Sequence, residues 1–310
     1  KFDSMLSLFA LLPSLRAPSN MASPVALMLR LQMRRKSFPW LCTVADPSPR
    51  RDFLVQNNGN VVQVLKCPTF QVLQQGMIEL ANVPHVCVAG ESNAGKSSLI
   101  NHLLRKELAI ASSVAGKTRS VDMLKVNSNL VLSDLPGLPS RDHQVAKMWD
   151  TSWYPLVMNY VKQCEALKAM LYVHDIRWKV SPVVRSFVHE VQASGLPVML
   201  ILTKDDKIAK ASSAIDEHQQ RIHLTTKVRR ALNFDGLHLH YNCDSARPSS
   251  RRGRRTLLRY IEDIAACGSR EDCELMLACI AAKKQGRTLP SKEPHLDHQH
   301  IRFVQKEELS

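Results

Sequence analysis

Apolar and polar positions along this chain follow two rhythms. Short unbroken apolar runs, Val86-Cys87-Val88-Ala89, Leu130-Val131-Leu132 and Val198-Met199-Leu200-Ile201-Leu202, read as strands buried on both faces. Between them, apolar residues recur every three to four positions, the spacing of amphipathic helices. The pattern predicts strands near 85–89, 121–126, 130–134, 169–175, 197–203 and 237–243. It predicts helices near 96–106, 145–163, 182–194, 211–232 and 253–267. The Asn127-Ser128-Asn129 turn makes the second and third strands an antiparallel hairpin, and the other strands should pair in parallel through helical crossovers. The expected class is α/β, a mostly parallel six-stranded sheet with helices on both faces, its ligand site at the carboxyl ends of the strands.

The flanks read differently. From Ser4 to Ala45 there is no Asp or Glu, while Arg16, Arg30, Arg34, Arg35 and Lys36 are interleaved with Leu, Met, Ser and Ala. That is the composition of a transit peptide and predicts an address to the mitochondrial matrix. Pro13, Pro18 and Pro24 interrupt its apolar stretches, and none reaches the length of a membrane span, so no membrane insertion is expected. The chain opens on Lys1, and part of this segment is expected to stay on the mature protein as a basic arm against RNA. Residues 1–62 thus form a basic extension and linker, 63–268 the α/β domain, and 269–310 a helix with a polar tail. Gly268 is expected to close the last domain helix. Ser269-Arg270-Glu271-Asp272 resembles a capping box opening a helix to about Lys284. Its Leu275, Met276, Cys279 and Ile280 form a stripe that docks on the domain or on a partner.

Chemistry concentrates at the ends of the predicted strands. Residues 90–98 read Gly-Glu-Ser-Asn-Ala-Gly-Lys-Ser-Ser, so Gly90-x4-Gly95-Lys96-Ser97 has the spacing of a phosphate-binding loop between strand and helix. Glycines let such a loop curl until backbone N–H groups, including those of Asn93, Ala94 and Ser98, point inward at phosphate oxygens. The helix N-terminus adds its positive dipole end. Lys96 reaches the β- and γ-phosphates, and the Ser97 hydroxyl ligates Mg²⁺. Asp134-Leu135-Pro136-Gly137 ends the next apolar strand: Asp134 can hold the Mg²⁺ shell and the Gly137 N–H can sense a γ-phosphate. Thr203-Lys204-Asp205-Asp206 closes another strand and varies the guanine-reading Asn-Lys-x-Asp. The Asp206 carboxylate accepts from guanine N1–H and N2, donors that adenine lacks in that geometry, while the Lys204 stem covers the base. The expected ligands are therefore GTP and GDP with Mg²⁺. Thr118 falls where a switch threonine ligates Mg²⁺, and Ser245-Ala246 can close over guanine O6, although Asn242 to Asp244 offers rival registers.

Charge adds a partner class. Forty-two basic against 28 acidic residues give a net +14, which points to a polyanion. Arg247, Arg251, Arg252, Arg254, Arg255 and Arg259 cluster at the start of the last domain helix, and Arg221, Lys227, Arg229 and Arg230 on the preceding one. Such charges neutralise phosphates without reading sequence; a merely solvated face is the alternative. Eight dispersed cysteines without a Cys-x-x-Cys fit free thiols in a reducing compartment. His295-x-x-His298-x-His300 reads as a solvated tail rather than a metal site.

Taken in order, Gly90–Ser98, Gly116–Thr118, Asp134–Gly137, Asp175-Ile176-Arg177 and Thr203–Lys207 resemble the EngB-type GTPases, a branch of the translation-factor-related P-loop class. The resemblance covers about residues 64–266. It implies an assembly factor for the large ribosomal subunit, monomeric there, with rRNA, ribosomal proteins and other assembly factors as partners. Three departures fall near the γ-phosphate: Glu91 in place of the usual Arg, Leu138-Pro139-Ser140 in place of Tyr-Gly-Tyr, and Ala115-Gly116 in place of Pro-Gly. Leu138 cannot orient an attacking water as a glutamine does in Ras-like switches. Catalysis then rests on Mg²⁺, Lys96, Thr118 and the loop N–H groups. Asn93 stands where related GTPases help hold K⁺, so slow hydrolysis raised by K⁺ or a ribosomal partner is expected. A different-class alternative is a nucleotide-stabilised structural factor that hydrolyses weakly and holds immature rRNA.

Overall fold

The computed structural model describes residues 61–105, 119–139, 143–208, 214–244 and 248–286. Seven strands form one sheet: β1 Val61–Cys67, β2 His85–Gly90, β3 Val121–Val126, β4 Leu130–Asp134, β5 Leu167–Asp175, β6 Val198–Thr203 and β7 His238–Tyr241. Their spatial order is β1-β3-β4-β2-β5-β6-β7. β4, β2, β5, β6 and β7 run parallel. The β3–β4 hairpin turns through Asn127 and Ser128, both at positive φ as a type I′ turn requires. The α/β class is as expected, but the sheet has seven strands rather than six. β1 is the addition, pairing antiparallel with β3 at the edge. It alternates half-buried and exposed residues instead of forming an apolar run, so it carries the weak signature of a sheet edge.

The helices are α1 Phe70–Glu79, α2 Lys96–Leu104, α3 His143–Met148, α4 Tyr154–Gln163, α5 Pro182–Ala193, α6 Ala214–Leu232, α7 Pro248–Ala265 and α8 Arg270–Lys284. A π-helical turn, Trp149–Trp153, joins α3 to α4 where one continuous helix was expected. Pro155 supplies the cause, because its ring cannot donate and crowds the carbonyl four residues back. The backbone widens there, Tyr154 N–H bonding to Trp149 O, and both tryptophans turn into the core.

One core layer packs α1, α4, α5 and α6 on alternate residues of the central strands, among them Cys87, Ala89, Leu200 and Leu202. α2, α7 and α8 pack the other face of the sheet. Within the first layer the buried Tyr160 hydroxyl joins His85 Nδ1 at 2.8 Å and Ser133 Oγ at 2.7 Å, leaving none of the three polar groups stranded. α7 stops at Ala265, so Gly268 does not cap it; its carbonyl instead accepts from Lys168 Nζ at 2.8 Å. Ser269 does cap α8, accepting from Asp272 N–H at 3.2 Å. The α8 stripe docks on its own domain, with Leu275, Met276 and Cys279 buried. Arg270 secures that docking by donating to the carbonyls of Leu167, Val161 and Cys164.

Arg254 departs from the sequence reading. It is only 6% exposed, and its guanidinium donates to His102 O at 3.0 Å and to Leu103 O at 2.6 Å. It therefore satisfies carbonyls at the C-terminus of α2, where helices leave acceptors open, and is unavailable to an external phosphate. His102 completes the clamp, its ring nitrogens bonding Tyr241 OH at 2.7 Å and Ser250 Oγ at 3.1 Å. Arg254→Ala is expected to lower the unfolding free energy by about 2–4 kcal/mol, because it strands buried carbonyls. Arg254→Lys should recover less than half, since a point ammonium cannot reproduce the planar fork. Urea denaturation of the three proteins measures this.

Candidate functional site

The site begins where β2 runs out. Gly90 has φ 152°, and a Cβ there would lie 2.2 Å from the Val173 carbonyl oxygen on β5, so only glycine fits. The chain then curls through Asn93 at φ 66° and Gly95 at φ 103° into the first turn of α2. Gly95 is needed for its backbone conformation, since no neighbour approaches its missing Cβ closer than 3.9 Å. Lys96 opens the helix and folds back over the loop, its Nζ donating to Gly90 O at 3.1 Å and Glu91 O at 3.2 Å.

That ammonium is buried and forms no ion pair among the described residues. Burial draws its pKa below the usual lysine range, opposed by the charges of Asp134 and Glu91. A buried cation bonded only to carbonyls, at the N-terminus of a helix, fits an anion of several charges. Beside it, Ser97 Oγ donates to Asp134 Oδ2 at 3.2 Å, a pair of hard oxygen donors at the end of β4. Such a pair suits Mg²⁺, whose chemistry there is to neutralise phosphate charge. Ser98 is exposed on the same first turn.

The segment after β4 is stitched to the loop. Leu138 N–H donates to Gly90 O and Ser92 N–H to Leu138 O, each at 3.0 Å, extending the β2–β4 pairing by one parallel bridge between Glu91 and Leu138. Gly137 is held so close that a Cβ would lie 2.5 Å from Ser92 Oγ. Leu138 buries its side chain completely.

On the other side, the Thr203 hydroxyl donates to Ala94 O at 2.7 Å and lies 3.2 Å from His174 O. Thr203 thus ties β6 to the phosphate loop. Lys204 adopts a left-handed conformation at φ 60° and ψ 29° and reaches Asn93 O at 2.5 Å. A single 3₁₀ turn over Asp205–Lys207 follows, with Asp206 exposed. Asp205 points instead toward Arg221 and His240, 3.5 and 3.8 Å away.

Gly90, Asn93, Ala94, Gly95, Lys96, Ser97, Ser98, Asp134, Gly137, Thr203, Lys204 and Asp206 therefore meet at the carboxyl ends of β2, β4 and β6. Thr118, Ser245 and Ala246 lie outside the described residues. Of the predicted basic clusters, Arg251, Arg252, Arg255 and Arg259 are exposed, as are Lys227 and Arg230, while Arg247 is outside the described residues. Arg221 and Arg229 are tied to Asp205 and Asp235 and are less available.

The sequence reading missed a buried pair under the loop. Glu91 Oε2 lies 3.5 Å from His174 Nδ1, and neither atom has a hydrogen-bond partner. Tyr172 stacks on the His174 ring, 6.4 Å between centroids. Burial, and then the charge of Asp175, push the Glu91 carboxyl up to about 7 against the pull of Lys96. Burial lowers His174, opposed by its bond to Trp178 O and by Asp175. The signal for this pair was Glu91 itself, an acid where EngB-type loops carry an arginine.

Fold and site together define a P-loop protein of the guanine-nucleotide-binding class. A family model described as 50S ribosome-binding GTPase matches residues 85–204. The EngB protein of Protochlamydia amoebophila (strain UWE25) is 33% identical over 184 residues, covering 58% of this chain and 82% of that one. The EngB protein of Bacillus subtilis (strain 168) is 35% identical over 154 residues, covering 49% and 74%. A crystal structure of an EngB protein superposes with a TM-score of 0.44 at 18% identity, covering 58% of this chain and 99% of that chain. The chain belongs to the EngB family of GTP-binding proteins.

The Glu91 shift fixes the sign of a pH effect. Its folded value, about 7, stands above the ordinary 4.5, so the buried protonated form is favoured and stability drains away as pH rises from 4.5 through 7. Glu91→Gln, which cannot ionise, is expected to be more stable than the parent by roughly 1–3 kcal/mol at pH 8, after allowance for solvent screening. The gap should close toward pH 5. Denaturation at pH 5, 6, 7 and 8 measures it, and a pH-independent gap would refute the shift.

Proposed function

We propose that this chain binds GTP and GDP with Mg²⁺, hydrolyses GTP slowly, and serves in the mitochondrial matrix as an assembly factor that binds rRNA of a precursor large ribosomal subunit through its basic surfaces. The observation that carries the nucleotide reading is the buried Lys96 ammonium, bonded among the described residues only to the carbonyls of the loop it covers. Guanine follows from the exposed Asp206 carboxylate beside a fixed Lys204. Lys96 and the loop N–H groups stabilise charge on the transferred phosphoryl oxygens. Ser97 and Asp134 would hold the Mg²⁺, and Thr118, outside the described residues, would join them if it takes the switch role its sequence position gives it. Because the Leu138 side chain is locked in the core, no group at that position orients water, and turnover is slow without outside help. K⁺ beside the exposed Asn93, or a ribosomal partner, supplies that help.

The ribosomal part rests on the family and on one surface. Arg251, Arg255 and Arg259 follow one another at four-residue spacing along the outer face of α7, roughly 6 Å apart along the axis, with Arg252 beside them. A regular row of exposed arginines suits a phosphate backbone. The acid-free, arginine-bearing composition of residues 4–45 supports the mitochondrial address.

A second reading, the nucleotide-stabilised structural factor, is favoured by the stitched Leu138 and separates in the same experiment. In gradient sedimentation of mitochondrial lysate with a non-hydrolysable GTP analogue, the protein should comigrate with precursor large subunits, and less so with GDP. Lys96→Ala should abolish the nucleotide response. Comigration indifferent to nucleotide selects the structural factor, and migration as a free species removes the ribosomal reading. Replacing Arg251, Arg255 and Arg259 with Glu should weaken RNA binding and lower the log–log salt slope by about 2–3, with GDP affinity unchanged.

A further inference from the structure

Trp178 belongs to none of the motifs above, yet it lies against the lysine that the guanine site depends on. Its ring centroid is 5.3 Å from Lys204 Nζ, within cation–π range. The same ammonium donates to Asn93 O at 2.5 Å and stands 3.4 Å from Asp175 Oδ2. Lys204 is thus gripped from three directions: by the phosphate loop, by the carboxylate ending β5, and by an indole face.

The indole is placed by its own backbone. Trp178 N–H donates to Asp175 O at 2.9 Å, and its carbonyl accepts from His174 Nε2 at 3.3 Å, closing a tight turn at the end of β5. Asp175 is itself committed elsewhere. Its Oδ1 accepts from Arg177 N–H and Nε at 3.1 and 2.9 Å, and its Oδ2 accepts from Nη2 at 2.7 Å. Burial opposes ionisation of this carboxyl, but the Arg177 bonds and the Lys204 charge outweigh it and hold the group below the usual carboxylate range. A carboxylate already bonded twice over by a guanidinium leaves its neighbouring lysine only a long contact, and the aromatic face supplies what that contact lacks. A lysine stem has many rotamers, and fixing it in one costs entropy. Restricting it before the base arrives favours binding.

We propose that Trp178 is a positioning residue for guanine-nucleotide binding, acting through Lys204 to hold its stem in the pose that covers the base. The proposal rests on the nucleotide reading above and assigns it a residue outside the motif set. The indole need not touch the nucleotide. Its effect comes entirely from the lysine it restrains.

The test is a set of GDP dissociation constants for the full chain, measured with a fluorescent GDP. The parent comes first: if it fails to bind GDP, the nucleotide reading falls, and with it the proposal. Trp178→Leu, which keeps an apolar cover but removes the π face, should weaken binding roughly fivefold, and Trp178→Phe should restore most of that loss. In a Lys204→Met background, Trp178→Leu should change the constant less than twofold, because its target is gone. Thermal midpoints of all variants are recorded alongside. Equal losses in the two backgrounds, or a Phe variant as weak as the Leu variant, would overturn the assignment. So would a loss that follows the thermal midpoint rather than the lysine.

Discussion

A phosphate loop has to keep most of its amide hydrogens turned inward. The one backbone bond this loop makes within itself among the described residues, Ala94 N–H to Glu91 O at 3.1 Å, spends an amide expected for phosphate and does not hold the loop's shape alone. Backbone groups without partners collapse onto one another or onto side chains unless the surroundings forbid it. Here restraint comes from three sides. Leu138 bonds the first turn to the segment that follows β4, the Thr203 hydroxyl takes the Ala94 carbonyl, and Lys96 and Lys204 take the carbonyls of Gly90, Glu91 and Asn93. Every one of these contacts uses a loop oxygen or an outward N–H. The carbonyls are thereby committed outward, and the rest of the site is arranged around that commitment.

What the sequence disclosed and what it hid follow from the same physics. The central parallel strands were legible because each is apolar on both faces, as with β2 and β6, which bury every residue. The loop and the Thr-Lys-x-Asp segment were legible because their chemistry tolerates few residue types at fixed spacing. β1 was hidden because an edge strand needs only one apolar face, and its Asn-Gly-Asn approach resembles a linker. α1 was hidden for a different reason: Phe70, Val72 and Ile78 are exposed while Leu73 and Gly76 are buried, so its apolar residues do not mark its inner face. Arg254 looked like its neighbours because composition cannot tell an inward arginine from an outward one. The Glu91–His174 pair and the Trp178–Lys204 contact join distant segments, and no local pattern announces such a meeting.

The charge distribution is divided between two tasks. Outside, the chain is strongly basic. Beneath the nucleotide loop it keeps a buried acid and a buried imidazole, each pushed by burial toward its neutral form. A carboxylate that ionised there would oppose the same phosphates that Lys96 attracts. In this way the interior limits a repulsion that the surface charge could not cancel at that distance.

Helix α7 joins those tasks in one body. Its 18 residues form a rod roughly 27 Å long. On its inner side Arg254 and Ser250 grip the far end of the helix that rises from the phosphate loop, and on its outer side Arg251, Arg255 and Arg259 face solvent. An arginine gripping the interior thus sits next in sequence to one that faces outward. One rigid rod thus serves two surfaces, and a change of residue on α7 has to be sorted by the side it occupies before its effect can be assigned to folding or to the exposed row.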